Sequence, residues 1–344
     1  MDRDDDVINS SNMANVSVVI PCYNSAGTVA RAIRSVQRCA EAAQIAVKIV
    51  VVDDGSTDDS AKAIQAEDAL YIRQENAGPA RARNRGLFAT STDWVLFLDA
   101  DDYWDPPTSA VLRALEEDGR VGIAHDLLFF QCESDLHGLR ARFAVPTSGL
   151  DPENMLSWLL KGSFVPSNAI AWRRAFLTRI GCWRSLLRDD DGELMLRAFI
   201  EGGRARTLPI GLAVYCHNDS GDRVSRRTGE NVLRERLNVL DELSLHPIFG
   251  QAGLLQQSLG EAYYRLAYEA YASSFDGLGR VAENSARKRG FKGQLGGRRR
   301  QILARVLGLR SSVAIASWLR KWVMPTTAKI DGNRIRGAAG GEAA

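Results

Sequence analysis

Three short runs of the chain are apolar almost throughout and lack the alternation of a half-exposed strand: Val16-Ser17-Val18-Val19-Ile20, Lys48-Ile49-Val50-Val51-Val52 and Trp94-Val95-Leu96-Phe97-Leu98. Runs of this kind read as strands buried on both faces. Helical patterns follow the first two. Ser25 caps a helix carrying Val29, Ile33 and Val36 on one face, and Ser56, Thr57 or Asp58 caps another through Ala61, Ala63 and Ile64. With a further strand at Ala69-Leu70-Tyr71-Ile72, the alternation predicts an α/β fold: a mostly parallel sheet with helical crossovers. From Thr228 to Tyr271 the apolar spacing turns helical, with Leu233, Leu237 and Leu240, then Leu254, Leu255, Leu259, Tyr263 and Leu266. This predicts a helical C-terminal appendage.

The polar ends of the strands carry the chemistry. Asn24, Asp53-Asp54 and Asp99-Ala100-Asp101 fall at the carboxyl edge of a parallel sheet, where open α/β sheets bind ligands. Two carboxylates flanking one small residue can hold a divalent cation and leave coordination positions for phosphate oxygens. That arrangement suits a nucleotide diphosphate. An isolated Asp-x-Asp also fits an acidic turn, but here three strand ends converge.

Four blocks, Val18-Val19-Ile20-Pro21-Cys22-Tyr23-Asn24, Val52-Asp53-Asp54-Gly55-Ser56-Thr57-Asp58, Asn76-Ala77-Gly78-Pro79-Ala80-Arg81-Ala82-Arg83-Asn84-Arg85-Gly86 and Leu98-Asp99-Ala100-Asp101-Asp102, resemble in order and spacing the family 2 glycosyltransferases. The resemblance implies a GT-A fold and inverting transfer of a sugar from a nucleotide-diphosphate sugar to an acceptor hydroxyl, in cell-surface polysaccharide or glycolipid synthesis. It implies that Pro21, Tyr23 and Asn24 bind donor and that Asp53 or Asp54 contacts the nucleoside base. The sequence does not choose between those two acids. Arg83 is then expected near the nucleotide, Asp99 at the ribose or metal shell, and Asp101 as ligand of Mn²⁺ or Mg²⁺. The spacing of Arg81, Arg83 and Arg85 also fits a solvated helix face.

The second half resembles the family's acceptor region. Phe164 to Arg174 leads into a helix and the Gly181-Cys182-Trp183 turn, and Arg188-Asp189-Asp190-Asp191-Gly192-Glu193-Leu194-Met195-Leu196-Arg197 follows. The family's Glu-Asp pair aligns with Asp190-Asp191, which makes Asp191 the expected general base. Asp190 stands where the family has Glu and Gly192 where it often has an aromatic, which opens the acceptor site. Acids at a helix start also favour its dipole. Val214-Tyr215-Cys216-His217-Asn218 resembles the family's Tyr-Arg-x-His segment without the arginine. His217 is a candidate contact to metal or diphosphate, and Arg223, Arg226 and Arg227 are candidate replacements for the arginine.

The expected organisation is a disordered N-terminus at 1–15 and a transferase domain at 16–227, nucleotide-binding over 16–104 and acceptor-binding over 105–227. A helical region at 228–330 and a disordered tail at 331–344 follow. The opening residues are acidic and polar, unlike a secretory signal, and no apolar stretch is long enough to span a membrane. Cys22, Cys39, Cys132, Cys182 and Cys216 show no paired spacing and read as reduced thiols of a cytoplasmic protein.

The formal net charge of +2 hides an asymmetry: 14 Lys/Arg stand against 3 Asp/Glu from Val281 onward. Arg287-Lys288-Arg289, Arg298-Arg299-Arg300 and Arg320-Lys321 flank the stripes Ile302, Leu303, Val306, Leu307 and Ile315, Trp318, Leu319, Trp322, Val323. Basic clusters beside such helices suit the inner face of an anionic membrane; the alternative is helices packed on the domain with a solvated basic face. No motif supports nucleic-acid binding. The expected partners are a nucleotide-sugar donor and a saccharide or lipid-linked saccharide acceptor.

Two other functions fit a similar sheet. A sugar nucleotidyltransferase needs a Gly-rich basic loop after the first strand, where this chain has Pro21-Cys22-Tyr23-Asn24-Ser25. A non-catalytic nucleotide-binding protein has no need of Asp99, Asp101 and Asp191 together. A dinucleotide dehydrogenase is disfavoured because no G-x-G-x-x-G opens the first helix.

Overall fold

A computed structural model describes residues 15–121, 125–217, 228–250, 253–291, 304 and 308–316. The chain divides into two compact units: 1–150, 165–185 and 203–219 form the first, and 151–164, 186–202 and 220–344 form the second. Elements are numbered along the chain.

The first unit holds β1 (Val16–Cys22), α1 (Val29–Ala43), β2 (Val47–Asp53), α2 (Ser60–Gln65), β3 (Leu70–Arg73), α3 (Pro79–Phe88) and β4 (Trp94–Phe97). It continues with β5 (Tyr103–Trp104), α4 (Ser109–Val121), β6 (Leu127–Phe129), β7 (Cys132–Leu136), β8 (Leu139–Arg142), β9 (Ile170–Arg173), α6 (Arg174–Arg179), β10 (Ala205–Thr207) and β11 (Ala213–Cys216). The main sheet has the order β10-β6-β9-β4-β1-β2-β3. Only β9 runs antiparallel to its neighbours, so the sheet is mostly parallel, as the alternation of strands and helices predicts.

Burial explains why these strands form where they do. β4 is buried at every position, and β1 at every position but Pro21. Each buried Val, Ile or Leu stabilises the sheet by roughly 1.5–3 kcal/mol relative to exposure. α1 covers it with Val29, Ala32, Ile33, Val36 and Cys39. α3 presses close because Gly86 has no side chain: a Cβ there would collide with the Val19 side chain. Register brings the strand ends level. Cys22 pairs with Asp53 across β1 and β2, and Leu98 N donates to Val19 O (3.1 Å) just past the last β1–β4 pair. Asn24, Asp53-Asp54 and Asp99–Asp102 therefore leave one edge together.

A second, four-stranded sheet of order β5-β11-β7-β8 was not expected from the sequence. Its β7–β8 hairpin turns at His137 and Gly138, with φ of 52° and 88°, in the left-handed region that tight hairpins require. The helix starts also differ from expectation. α1 begins at Val29, and Ser25 contributes its carbonyl, which accepts from Thr28 N and Val29 N (both 3.0 Å), while its hydroxyl donates to Tyr23 O. Asp58 serves α2 by accepting from Ser60 N (3.0 Å).

The second unit is helical: α5 (Pro152–Leu160), α7 (Asp190–Ile200), α8 (Glu230–Ser244), α9 (Leu254–Ala272) and α10 (Asp276–Lys288), with 308–316 helical as well. α9 and α10 pack tightly because a Cβ at Gly279 would meet the Tyr271 ring at 2.6 Å. Tyr263 donates to Asp241 of α8 (2.6 Å), and Ser258 bonds Ser157 of α5 (2.8 Å). No helix among the described residues is long and apolar enough to cross a membrane. Of the basic clusters, Arg287 pairs with Glu283 (2.7 Å) and Arg289 lies over the Tyr263 ring (4.4 Å). Residues 298–300, 302–303, 306–307 and 318–344, the three candidate arginines after His217 and residues 1–14 lie outside the described residues.

Candidate active site

Beyond β4 the chain turns sharply, Asp102 N donating to Asp99 O (2.9 Å), and gathers three carboxylates. Asp99, Asp101 and Asp102 each present an oxygen within 4.8 Å of the others. Their surroundings differ. Asp102 is buried; its Oδ2 accepts from Asn168 Nδ2 and its Oδ1 from Cys216 N, both at 2.8 Å. This carboxylate ties the loop to β11 and to the turn before β9. Asp99 and Asp101 remain half-buried. Arg31 of α1 donates from Nη2 to the Asp101 carbonyl (2.6 Å) and to Cys216 Sγ (3.4 Å), holding the loop from the other side.

Arg83 is 4% exposed and sets Nη2 2.8 Å from Asp99 Oδ1. Arg81 and Arg85 are exposed, so the solvated-face reading holds for them and fails for Arg83. The next residue, Asn84, grips the Gly181-Cys182-Trp183 turn through both main-chain groups of Trp183, donating to its O (2.8 Å) and accepting from its N (3.0 Å). Trp183 packs in turn on Phe97 of β4, with centroids 4.1 Å apart.

Asp53 and Asp54 are both buried and shape the neighbouring loops. Asp53 accepts from Ser56 N (2.8 Å) and Tyr71 Oη (2.9 Å). Asp54 accepts from Gln74 Nε2 (2.7 Å), Ala77 N (2.8 Å) and Gly78 N (2.8 Å), which fixes the entry to α3. Asn24, at a left-handed φ of 48°, accepts from Thr57 N (2.8 Å) and receives support from Ser56 Oγ on its own N–H (3.0 Å). Pro21 lies in β1, and Tyr23 is exposed. The N–H of His217, the residue after β11, donates to Asp135 O (2.9 Å), and its ring meets Tyr215 edge-on. In the second unit Asp191 is the second residue of α7 and half-buried, Asp190 is buried, and Arg197 is clasped by Glu193 at 2.8 and 2.9 Å.

The sequence profile of glycosyl transferase family 2 matches residues 17–181. The uncharacterized glycosyltransferase alr2836 of Nostoc sp. (strain PCC 7120) is 31% identical over 229 residues, which cover 61% of this chain and 67% of that protein. The chain belongs to glycosyltransferase family 2. The succinoglycan biosynthesis protein ExoU of Rhizobium meliloti (strain 1021) is 33% identical to this transferase over 209 residues, spanning 56% of the chain and 59% of ExoU. Among solved structures, S. aureus TarS 1–349 in complex with UDP-GlcNAc superposes with a TM-score of 0.53 at 19% identity, covering 83% of this chain and 94% of that one. That likeness is one of fold, the GT-A fold.

Membership groups the chain with glycosyltransferases and not with sugar nucleotidyltransferases. Sequence reasoning missed Asp102, Asn168 and Arg31 as parts of this transferase's acidic loop. Asp102 had a signal, its adjacency to the Asp99-Ala100-Asp101 motif. Its partners lie 66 and 114 residues away and had none.

Proposed function

We propose that this family 2 glycosyltransferase moves a sugar, with inversion, from a nucleotide-diphosphate sugar to a saccharide or lipid-linked saccharide hydroxyl in cell-surface polysaccharide or glycolipid synthesis. The observation that carries the reading is the convergence of Asp99, Asp101 and Asp102 within 4.8 Å at the end of a buried strand. The similarity to ExoU, a succinoglycan biosynthesis protein, supports the pathway class. Such work suits the cytoplasmic side of a membrane, with the basic C-terminus as the peripheral contact.

An all-carboxylate oxygen set fits a hard divalent cation, Mn²⁺ or Mg²⁺. Asp101 and Asp99 would hold it, with Asp102 buried behind them as a brace. When bound, the cation supplies neutralisation of the charge that develops on the leaving diphosphate. His217 remains a lesser candidate for the same region. Arg83 holds Asp99 in place and adds a fixed positive charge to the acidic loop. Asp53 or Asp54 would face the base, framed by Tyr23, Asn24 and Pro21. Asp191 acts as general base, accepting the acceptor hydroxyl's proton as the new bond forms; a positioned base contributes on the order of 10²–10⁴ in rate.

The test is nucleotide release from a panel of UDP-glucose, UDP-galactose, UDP-N-acetylglucosamine and GDP-mannose, with Mn²⁺, with Mg²⁺ and with chelator. Cation-dependent release from one of them is expected. Release that chelator leaves unchanged removes the cation from the mechanism, and Asp191→Asn with normal transfer removes the base.

A further inference from the structure

Four charged side chains of the second unit close a ring at the start of α7. Arg188 sets Nη2 2.7 Å from Glu269 Oε1 and Nε 3.5 Å from Asp189 Oδ2. Arg236 of α8 does the same from the other side, with Nη1 2.5 Å from Glu269 Oε2 and Nε 3.2 Å from Asp189 Oδ2. Cations and anions alternate around the ring, and both oxygens of Glu269 are used. The approach segment is pinned as well, because Leu187 N donates to Glu235 Oε2 of α8 (2.6 Å).

Asp189 is the N-cap of α7, yet it does not cap in the usual way. An N-cap aspartate ordinarily has extended backbone and turns its carboxylate onto the first free N–H groups of the helix. Asp189 instead has φ 64° and ψ 31°, makes no side-chain cap bond, and gives its carbonyl to Glu193 N (3.0 Å). Left-handed backbone costs a residue with a Cβ on the order of 1–2 kcal/mol. Such a conformation persists where the surroundings over-determine it. The two guanidiniums supply that constraint by drawing the carboxylate away from the helix end.

We propose that Glu269, on α9, is a positioning residue for acceptor chemistry: through Arg188 and Arg236 it fixes Asp189, and so sets where α7 begins and where Asp191 is presented. The proposal rests on the reading of Asp191 as the base. It gives the C-terminal helices a part in the reaction, since α7 and α9 both lie beyond the residues that match the family profile.

Hydrogen exchange followed by mass spectrometry on the full-length protein tests it, with Tyr263→Phe as the variant that loosens α9 from α8 without touching the ring. In Glu269→Gln the amides of Glu193 to Leu196, the first to bond within α7, exchange about tenfold faster, as loss of a charged hydrogen bond implies. Glu269→Asp restores part of that protection, and Tyr263→Phe leaves those amides unchanged. Unchanged exchange in Glu269→Gln, or a rise spread equally over α8 and α9, overturns the proposal. Full turnover by Asp191→Asn would instead overturn the base and leave the exchange result standing.

Discussion

Arg83 Nη2 lies 2.8 Å from Asp99 Oδ1, so the buried arginine of α3 and the first acid of the loop after β4 are one unit. The pair explains why an arginine with little solvent access is kept beside a cluster of carboxylates: without it three acids would repel one another within 4.8 Å. Arg83→Ala is expected to lower stability by about 1–3 kcal/mol and to weaken donor binding. Arg83→Lys keeps the charge, loses the planar fork, and falls between. Urea unfolding and donor titration measure both effects, and Arg83→Ala at wild-type values for each contradicts the coupling.

Asp102 acts as a brace and offers a separate test. In Asp102→Asn one oxygen becomes an NH₂ that must face either the Asn168 amide or the Cys216 N–H, both donors. The expected cost is about 1–3 kcal/mol, read as a lower melting temperature. Since the brace carries the loop, Mn²⁺ affinity should fall with it; intact affinity would show that Asp99 and Asp101 keep their places unaided.

Burial sets the chemistry of the thiols. It pushes Cys22, Cys39 and Cys216 each up to about 11, and Cys132 well above its ordinary value. All five cysteines are buried thiols. Reaction with a disulfide reagent at pH 8 should therefore be slow in the native protein and rapid in denaturant. Prompt labelling of the native protein contradicts the packing around β1, α1 and β11.

Acid should loosen the ring at α7. Burial pushes the Glu269 carboxyl up, but the Arg236 and Arg188 guanidiniums outweigh it and hold the group below its ordinary value. A carboxylate lowered on folding contributes stability above its unfolded pKa, near 4.3, and loses it as pH falls through the folded value. The stability difference between wild type and Glu269→Gln should stay level from neutral pH to about 5 and shrink below the unfolded value. A difference that grows on acidification contradicts this.

The legible parts of the sequence were those where burial is nearly complete. β1, β2 and β4 announce themselves because a strand covered on both faces needs apolar residues almost without interruption, and the acids that follow inherit their place from the strand. The second sheet was hidden because β7 reads Cys-Glu-Ser-Asp-Leu and β8 is exposed throughout, leaving no apolar run to find. The brace at Asp102 and the ring at Glu269 depend on partners distant in the chain, which no local pattern encodes. Ser25 failed as a cap for a local reason: its hydroxyl turns back to Tyr23 O and leaves the helix start to its carbonyl.

Asp101 carries the central claim, and nucleotide release from the preferred donor, measured against Mn²⁺ concentration in wild type and Asp101→Asn, tests it most directly. The side chain keeps its size in the variant but loses the charge that would hold the cation. Wild type should show saturable dependence on Mn²⁺, and Asp101→Asn should lose release at every concentration while keeping its melting temperature. Release by Asp101→Asn at the wild-type rate and with the wild-type dependence on Mn²⁺ would contradict the account.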